Sequence, residues 1–594
     1  MAIPDLTFLH APSVYDFRRE SILYGPVSDL VPSTPVFEMY PIGFTTIAEY
    51  LERAGFRCRI INLAVRMLED KHYDVEKTIE KNDSIVFGID LHWLPHAHGS
   101  IEIARIVKRL HPNRPVLFGG ISSTYFHREL IEYPVVDFII RGDSTELPNL
   151  ELVRYIKQGG EVHPQAESAD AQKLNAIPNL VWKDASGQAH INPITYSPDS
   201  LDGILLDYSG VVRSVVRYRD LASYIPFKRW TRYPITAALT VRGCRYNCTT
   251  CGGGCGVYRS VHNRQTPAYR KPEDLANDIR RIGSFSKGPV MILGDIRQAG
   301  EEYADRFLEA ISGYNKSLFF ELFDAWPRDF IFRLAKAVPN FVIEISMESH
   351  DERVRRAFGR PYSNEAIEKT IDDAIEAGCQ RLDVFFMVGI AEQTYESVME
   401  TVEYSRKMLE KYSKNGVHHV VPFISPMAPF LDPGSRAFEN PEKFGYRLFA
   451  RTLEEHRQNL RAPSWKYVLN YETKWMNRDQ IVAATYEAGK RMNAIKAEFG
   501  VITHEKAAAT EARILQAEQL IQEIDTLMLI EDEAVRRQKI LELKHRVHNS
   551  NESTVCDKRE LEAPMKGLKI SVFGAARMVI AGWLSDAKRA LFPG

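Results

Sequence analysis

Short apolar segments alternate with helical patterns along two separate stretches of the chain, and this alternation restricts the possible folds more than any other feature. In the first stretch, residues 1–155, the apolar segments are LTFLHA, CRIINLA, SIVFGID, PVLFGG and VVDFIIRGD. Helical patterns such as GFTTIAEYLERAG and SIEIARIVKRL lie between them. β-branched runs divided by helices predict an α/β domain, a parallel sheet with both faces covered. Ligands of such sheets bind beyond the carboxyl ends of the strands.

A second alternation begins at residue 236 and predicts a full or partial β/α barrel over residues 236–440. Its six apolar segments are ITAALTV, PVMILGD, LFFELFD, FVIEISME, RLDVFFMVG and HHVVPFIS. Residues 156–235 are less regular and are expected to connect the two units, with a hairpin that turns at residues 185–187. After residue 440 the pattern is almost entirely helical, so residues 441–594 are expected to form a helical C-terminal domain.

Composition and charge exclude several classes of protein. The 594 residues are 44% hydrophobic and 26% charged, which is typical of globular proteins and excludes a wholly disordered chain. The formal net charge of -2 provides no basic field, and we expect no nucleic-acid partner. The sequence shows neither a signal-peptide pattern at its start nor an apolar run long enough to span a membrane, so we expect a cytoplasmic protein.

Four of the seven cysteines fall within residues 244–255, where the spacing C-x3-C-x2-C places Cys244, Cys248 and Cys251 on one tight loop. Three thiolates can hold three irons of a 4Fe-4S cluster and leave the fourth iron open to an external ligand. A structural zinc site with Cys255 as the fourth ligand is the alternative. Structural zinc usually pairs two separated CxxC hooks, however, so we expect the cluster, with Cys255 as a small residue in a glycine-rich turn.

This motif, placed after the first strand of a β/α barrel, resembles the radical S-adenosylmethionine (SAM) superfamily, although Thr250 stands where members usually carry an aromatic residue. Later strand ends resemble the superfamily in the same order. The resemblance implies that a glycine allows close approach of SAM, a carboxylate pairs with its amino group and an arginine binds its carboxylate. The implied SAM-binding residues are Gly294, Asp295, Glu348, Ser349, Arg360 and Gly389.

The unit before the barrel is similar to the flavodoxin-like cobalamin-binding domain of cobalamin-dependent radical SAM enzymes. The resemblance covers residues 1 to about 440 and is carried by EMYPIGFTTIAEYLERAG, VLFGGISST and VDFIIRGDSTE. It implies that the loops after the strands hold the lower face and nucleotide tail of cobalamin. The implied residues are Gly43, His92, Trp93, Gly119, Gly120, Ser122, Ser123, Thr124 and Gly142. A doubly wound domain that binds another nucleotide, or has lost its ligand, is the alternative.

The loop after Asp90 leaves two arrangements open beneath the cobalamin. Asp90-x-His92 fits the first half of the Asp-x-His-x-x-Gly motif of classical cobalamin enzymes, but Pro95 stands where the glycine is required. In one arrangement His92 ligates cobalt and Asp90 orients it. In the other, Trp93 packs against the lower face without a protein ligand. Packing is the arrangement that we expect.

The resemblance implies an enzyme with a 4Fe-4S cluster, SAM and cobalamin as cofactors. In the family a 5′-deoxyadenosyl radical removes hydrogen from an unactivated carbon and methylcobalamin supplies a methyl group, so C-methyl transfer is the expected function. No catalytic residue beyond the cofactors is predicted. A radical rearrangement, cyclisation or C–C coupling without methyl transfer is the closest alternative, and a non-catalytic iron–sulfur electron carrier or sensor is another. The expected partners are a small-molecule or lipid-like substrate and a reductant such as flavodoxin or ferredoxin.

Residues 565–592 carry a basic, amphipathic pattern. The segment contains five basic residues, among them Lys566, Lys569 and Arg577, and a single acid, Asp586. It also has a broad apolar helical face that includes Trp583. Such a helix can make peripheral contact with a membrane surface, which would suit a membrane-derived substrate. The alternative is packing against the protein's own core, which is commoner for terminal helices.

Overall fold

The computed structural model describes residues 3–20, 39–427 and 430–546, together with 560, 562, 569–571, 573–578, 580 and 584. The first unit is a seven-stranded sheet in the order β2-β1-β3-β4-β5-β6-β7. Its strands are β1 (Leu6–His10), β2 (Cys58–Asn62), β3 (Val86–Asp90), β4 (Val116–Gly119), β5 (Phe138–Ile140), β6 (Leu180–Lys183) and β7 (Ala189–Ile191). The first five strands pair in parallel in the flavodoxin-like order.

Helices cover both faces of this sheet. They are α1 (Phe17–Glu20), α2 (Ile42–Arg53), α3 (Leu63–Glu69), α4 (Val75–Lys81), α5 (Ala97–Leu110), α6 (Ile121–Tyr125), α7 (His127–Ile131), α8 (Glu146–Lys157) and α9 (Ala169–Ala176). Side chains cap the N-termini of several helices. Asn62 accepts a hydrogen bond from the Val65 amide, and Asp74 accepts one from the Lys77 amide. β1 and β3 are buried along their whole length, as their continuous apolar runs predict.

The predicted hairpin in residues 179–194 extends the first sheet. β6 pairs antiparallel with β5, and β7 pairs antiparallel with β6, so the sheet continues beyond residue 155, where we had placed the boundary of the first domain. The helix α10 (Ser209–Tyr218) then leads toward the second sheet. An edge strand such as β5 offers unpaired backbone groups, and a hairpin that pairs with it satisfies them.

The second unit is a partial barrel of six parallel strands in the order β8-β11-β12-β13-β14-β17, as predicted. In chain order its strands, with the short pairs that accompany them, are β8 (Thr236–Leu239), β9 (Val241–Arg242), β10 (Ala268–Tyr269), β11 (Val290–Leu293), β12 (Leu318–Leu322), β13 (Phe341–Glu348), β14 (Arg381–Val388), β15 (Ser413–Lys414), β16 (Val417–His418) and β17 (Val420–Pro426). Its helices are α11 (Cys255–His262), α12 (Pro272–Phe285), α13 (Glu301–Ile311), α14 (Arg328–Ala337), α15 (Glu352–Phe358), α16 (Asn364–Glu376) and α17 (Tyr395–Tyr412).

The C-terminal region is mainly helical and also contains a short antiparallel strand pair that the sequence did not predict. Its elements are α18 (Arg436–Glu439), β18 (Tyr446–Leu448), α19 (Leu453–Asn459), α20 (Trp465–Val468), β19 (Tyr471–Thr473), α21 (Arg478–Glu498), α22 (His504–Met528) and α23 (Glu533–Arg546). α21 lies against α17 and the outer strand β17, and α22 packs on α21. This region therefore covers the side of the barrel beyond β17.

Much of the predicted amphipathic segment, including Lys566, Trp583 and Asp586, lies outside the described residues. Within them, the Lys287 amide donates to the Lys569 carbonyl at 2.9 Å and the Ser571 amide donates to the Phe285 carbonyl at 2.7 Å. These bonds attach the start of the segment to the end of α12, as the packing alternative requires. Phe573 is nevertheless 83% exposed. Peripheral membrane contact stays a prediction.

Candidate functional site

The three spaced cysteines lie on the loop between β9 and α11, beyond the carboxyl end of β8. Cys248 is buried and the other two are partly buried. The Tyr246 amide donates to Cys244 Sγ at 3.4 Å, and the Gly253 amide donates to Cys251 Sγ at 3.2 Å. Burial raises the pKa of Cys248 to about 11. Three thiols on one short loop are suited to bind an iron–sulfur cluster, and two of them accept hydrogen bonds from backbone amides.

Cys255 begins α11, and its amide donates to the Tyr246 carbonyl at 2.8 Å. This bond closes the cysteine loop on itself. The fourth cysteine therefore has a backbone role in shaping the loop that does not depend on its thiol.

Asp295 braces the end of β11. Its Oδ1 accepts from the Arg297 amide at 2.9 Å, and its Oδ2 accepts from the Phe323 amide at 3.1 Å and from Trp326 Nε1 at 3.2 Å. The amide of Gly294, which has a φ of +84°, donates to Glu321. Oδ1 thus closes the turn after β11 while Oδ2 ties it to the segment after β12, a role that the sequence did not reveal.

Glu348 and Arg360 lie together at the carboxyl end of β13. Arg360 Nε is 3.6 Å from Glu348 Oε1, and the guanidinium lies 4.7 Å from the Phe323 ring centroid and 5.3 Å from that of Tyr246. Glu348 Oε2 is buried without a hydrogen-bond partner. A buried carboxylate oxygen without a donor is costly, so this atom fits a ligand that carries an N–H or O–H group. The same arginine lies close enough to Cys248 to oppose the rise of its pKa.

Ser349 and Gly389, the other two SAM candidates, have local structural partners. Ser349 Oγ accepts from the Asp351 amide at 3.1 Å. Gly389 has a φ of +96°, and a Cβ atom there would lie 2.8 Å from Tyr471 Oη. Contact with β19 therefore accounts for the glycine at position 389 without a cofactor.

The glycine-rich turn after β4 packs against the loop after β3. Gly120 has a φ of +119°, and a Cβ atom there would lie 2.3 Å from the Cα of His92. The hydroxyls of Ser123 and Thr124 donate to the carbonyls of Gly119 and Gly120, at 3.1 and 2.8 Å. These two hydroxyls stabilise the turn, and of the three predicted hydroxyl residues it is Ser122 that lines a cavity.

Gly142 follows the end of β5, and Gly43 lies at the start of α2. The Gly142 amide donates to Thr124 Oγ1 at 3.0 Å, which ties the loop after β5 to the glycine turn. Gly43 lies in the first turn of α2, where its carbonyl accepts from Thr46 Oγ1 at 3.2 Å and the space beside its Cα is open.

His10, Asp90, His92 and His96 form a cluster where β1 and β3 end. His92 Nδ1 lies 2.6 Å from Asp90 Oδ2, and His10 Nδ1 lies 3.0 Å from Asp90 Oδ1. Burial alone would raise the pKa of Asp90, but the two histidines hold it well below its usual range. Burial also holds the pKa of His96 well below its usual value. Asp90 is therefore an ionised carboxylate that fixes the ring of His92.

A cavity of about 250 Å³ joins the two units. Its lining from the first unit is His92, Trp93, Ile121 and Ser122, and its lining from the second is Gly252, Gly253, Asp432 and Pro433. The predicted cobalamin loop and the predicted cluster loop therefore face the same space, although they are far apart in sequence.

Asp432, which the sequence analysis did not identify, connects these two loops. Its Oδ1 accepts from Trp93 Nε1 at 2.6 Å, and its Oδ2 accepts from the Gly252 amide at 2.8 Å. Burial raises the pKa of Asp432. Burial, followed by the charge of Asp432, also raises the pKa of Cys251. An acidic residue beyond the last strand of a barrel has no local signature that could have identified it.

Two buried ion pairs also join the units through the segment after β5. Arg242, two residues before the first cysteine, pairs with Glu146 at 2.5 Å. Arg264 pairs with Asp143, and Ser144 Oγ accepts from both arginines. The loop after β5, which the sequence interpretation assigns to the cobalamin through Gly142, thus also binds the barrel through its acids.

Comparison with known families agrees with this arrangement. A family model described as the B12 binding domain matches residues 30–150, and one described as the radical SAM superfamily matches residues 239–405, which include the cysteine loop. The chain combines a B12 binding domain with a radical SAM domain. The cofactors predicted from the sequence, cobalamin, SAM and a 4Fe-4S cluster, are those of these families.

Among curated proteins, this radical SAM enzyme is similar to the hopanoid C-3 methylase of Methylococcus capsulatus. The two are 24% identical over 294 residues, which cover 48% of this chain and 49% of the methylase, so the similarity spans about half of each protein. In the part of the chain that the structure describes, no helix is both long and apolar enough to cross a membrane.

Solved structures show the same fold. The radical SAM methyltransferase TsrM of Kitasatospora setae, solved with cobalamin and a [4Fe-4S] cluster, matches with a TM-score of 0.51 at 16% identity over 75% of this chain and 81% of TsrM. The cobalamin-dependent radical SAM enzyme OxsB, solved with aqua-cobalamin, matches with a TM-score of 0.52 at 12% identity over 98% of this chain and 84% of OxsB. At such identities the likeness concerns the fold alone.

Proposed function

We propose that this enzyme is a C-methyltransferase that acts on an unactivated carbon of a small molecule. The observation that carries the proposal is the shared cavity, because methyl transfer to a substrate radical needs both cofactors at one substrate. The similarity to a methylase and to a methyltransferase fold supports it. When bound, the cluster supplies the electron that cleaves SAM, and cobalamin supplies the methyl group.

We assign the cluster to Cys244, Cys248 and Cys251, whose loop provides N–H donors to two of the sulfur atoms. Glu348 and Arg360 are the residues best placed to bind the polar groups of SAM, since Glu348 Oε2 is buried without a partner. Asp295 acts through position: it holds the ends of β11 and β12 together beside them.

For cobalamin, the contacts of His92 lead us to prefer it over Trp93 as the residue beneath the cobalt. Metal-ligating histidines usually donate one ring nitrogen to a carboxylate, and Asp90 holds His92 Nδ1 in this way at 2.6 Å. Trp93 instead donates to Asp432, which fixes its ring between the two units. Ser122 and the glycine turn complete this side of the site.

The test is anaerobic turnover with SAM that carries a deuterated methyl group, in the presence of a cell extract and a reductant such as flavodoxin. Mass spectrometry should find a product in which one hydrogen is replaced by CD3, together with 5′-deoxyadenosine. Formation of 5′-deoxyadenosine with an unlabelled product would contradict methyl transfer and support a rearrangement or coupling. Cys248→Ala should lose both products and serves as the control for non-enzymatic label.

A further inference from the structure

A row of three carboxyl groups crosses the interior of the barrel, apart from the residues assigned above to cluster and cobalamin. In the register of the sheet, Glu321 of β12 lies beside Glu344 of β13, which lies beside Asp383 of β14. On β13 the alternate residues Ile343 and Ile345 pack into the main hydrophobic core. Since side chains alternate between the faces of a strand, the carboxyls share the other face, which in a β/α barrel is the interior.

The neighbouring cations neutralise only the Asp383 end of this row. Arg381 donates to Asp383 Oδ1 at 2.6 Å and also to the carbonyl of Glu560. Lys496 pairs with the carboxylate of Glu560 at 2.9 Å. Across the described part of the chain, Glu344 makes neither a hydrogen bond nor an ion pair. The middle carboxyl of the row therefore lacks a partner.

A second carboxyl of the row is also incompletely bonded. Asp383 is 1% exposed, and its Oδ2 has no hydrogen-bond partner among the residues that the structure describes. Burial, followed by the charges of Asp383 and Glu321, raises the pKa of Glu344 to about 8. Burial likewise raises the pKa of Glu321 to about 7 and that of Asp383 to about 6. Acids with incomplete hydrogen bonds destabilise a fold, and such residues are expected where a ligand binds.

The row lies deeper in the barrel than the residues assigned to SAM. Glu344 precedes Glu348 by four residues on β13, at most about 13 Å along the strand at roughly 3.3 Å per residue. On the far side of the row, Val342, Arg381 and Val421 line a cavity of about 650 Å³ at the amino ends of the strands. The carboxyls therefore separate the end of the barrel that binds SAM from an open space below.

Aromatic side chains accompany the carboxyls on this face. The rings of Phe385 and Phe423 stack with centroids 5.3 Å apart, and Lys496 Nζ lies 4.1 Å from the Phe423 centroid. The interior thus already accommodates one ammonium group against an aromatic face. Carboxylates beside aromatic rings are suited to bind organic cations.

We propose that the substrate carries an amine or guanidinium group, which the row of Glu321, Glu344 and Asp383 binds inside the barrel. The proposal rests on the proposed function, since it names the substrate class for the same site. A cationic nitrogen supplies an N–H donor to Asp383 Oδ2, which has none among the described residues, and a counter-charge to Glu344. A hydrocarbon lipid in this position would supply neither.

The proposal can be tested before the substrate is known. A cell extract is separated by cation exchange at neutral pH into a retained fraction and a flow-through fraction. Each is added to the reduced holoenzyme with SAM, and stimulation of 5′-deoxyadenosine formation is measured. We expect the retained fraction to stimulate the wild-type enzyme. Glu344→Gln should lower this stimulation by about tenfold or more, equivalent to ~1.4 kcal/mol. Glu309→Gln, at an exposed acid on α13, is the matched control and should behave as wild type.

Several outcomes would overturn the proposal. These are stimulation by the flow-through alone, stimulation by neither fraction, equal stimulation of wild type and Glu344→Gln, or a loss of SAM affinity as large as the loss of stimulation. Glutamine is isosteric and breaks no contact of Glu344, so the melting temperature of the variant at pH 8 should equal or exceed that of wild type. Asp383→Asn provides a second comparison if Glu344→Gln does not load its cluster.

The deuterated methyl group separates this proposal from the proposed function. A product from the retained fraction without CD3 would support the role of the row and contradict methyl transfer. A CD3-labelled product from the flow-through alone would contradict the role of the row and support methyl transfer.

Discussion

The ion pair between Arg242 and Glu146 should be essential to the stability of the chain. Replacing Arg242 with Met keeps much of its volume and removes the charge. Glu146 is completely buried and Arg242 is nearly so, and Thr46 and Ser144 complete their hydrogen bonds. Met leaves the carboxylate in the interior with two neutral donors, the Thr46 hydroxyl and the Thr145 amide, and without the guanidinium.

Removing one partner of a buried pair costs about 3–5 kcal/mol, because the remaining charge is uncompensated. For a cooperative unit of 150–250 residues, this lowers the melting temperature by roughly 6–20 °C. Arg306→Met is the matched control. Arg306 and Glu273 form an exposed pair at 2.8 Å, and its loss should cost at most about 1 kcal/mol. The double variant Arg242→Met/Glu146→Gln should recover a large part of the loss, since no buried charge remains.

The pH dependence provides an independent check on the mechanism. Burial alone would raise the pKa of Glu146, but Arg242 holds it below its usual value. The pair therefore contributes its full stabilisation above the pKa that Glu146 has in the unfolded chain. This contribution is lost as pH falls through the pKa that Glu146 has in the folded chain. In Arg242→Met the carboxyl takes up a proton more readily. The difference in melting temperature between variant and wild type should therefore be largest near pH 8 and narrow toward pH 5. Thermal denaturation across this range measures it. A loss no larger than that of Arg306→Met, or a difference independent of pH, would refute the reasoning.

Three further predictions concern the cofactor sites. Cys248→Ala should lose the cluster and SAM cleavage, whereas Cys255→Ala should keep both, as judged by iron content and EPR; cluster loss in the second would contradict the ligand assignment. Asp432→Asn removes a negative charge near Cys251 and should raise the reduction potential of the cluster by tens of millivolts in an EPR-monitored redox titration. An unchanged potential would show that the charge of Asp432 does not act on the cluster. His92→Phe should change the absorption spectrum of bound cobalamin at similar occupancy. An unchanged spectrum would favour Trp93 as the residue that packs against the lower face of cobalamin.

The sequence predicted both parallel sheets because their strands are continuous apolar runs, and a buried parallel strand requires such a run. The cluster loop was equally clear, since Cys244, Cys248 and Cys251 are close in sequence. The antiparallel pair of β18 and β19 was missed because its strands are three residues each and lie among helices. Short strands in that setting have no periodicity that distinguishes them from loops.

The contacts between the two units could not be predicted in the same way. Asp432 meets Trp93 and Gly252 only because the fold brings three distant segments together. The family resemblance implies that hydroxyl groups in the turn after β4 bind cobalamin, but the turn itself uses those of Ser123 and Thr124. Sequence patterns identify which loops surround a ligand, whereas packing decides which side chains remain available to it.

The most direct test of the central claim is whether the two cofactors share one cavity. Pulsed EPR on protein loaded with cob(II)alamin and a reduced cluster measures whether the cluster spin accelerates relaxation of the cobalt spin. We predict clear enhancement in the wild type, and its absence in Cys248→Ala loaded with cobalamin alone. A cobalt relaxation rate that is the same with and without the cluster would place the cofactors in separate sites and contradict the account.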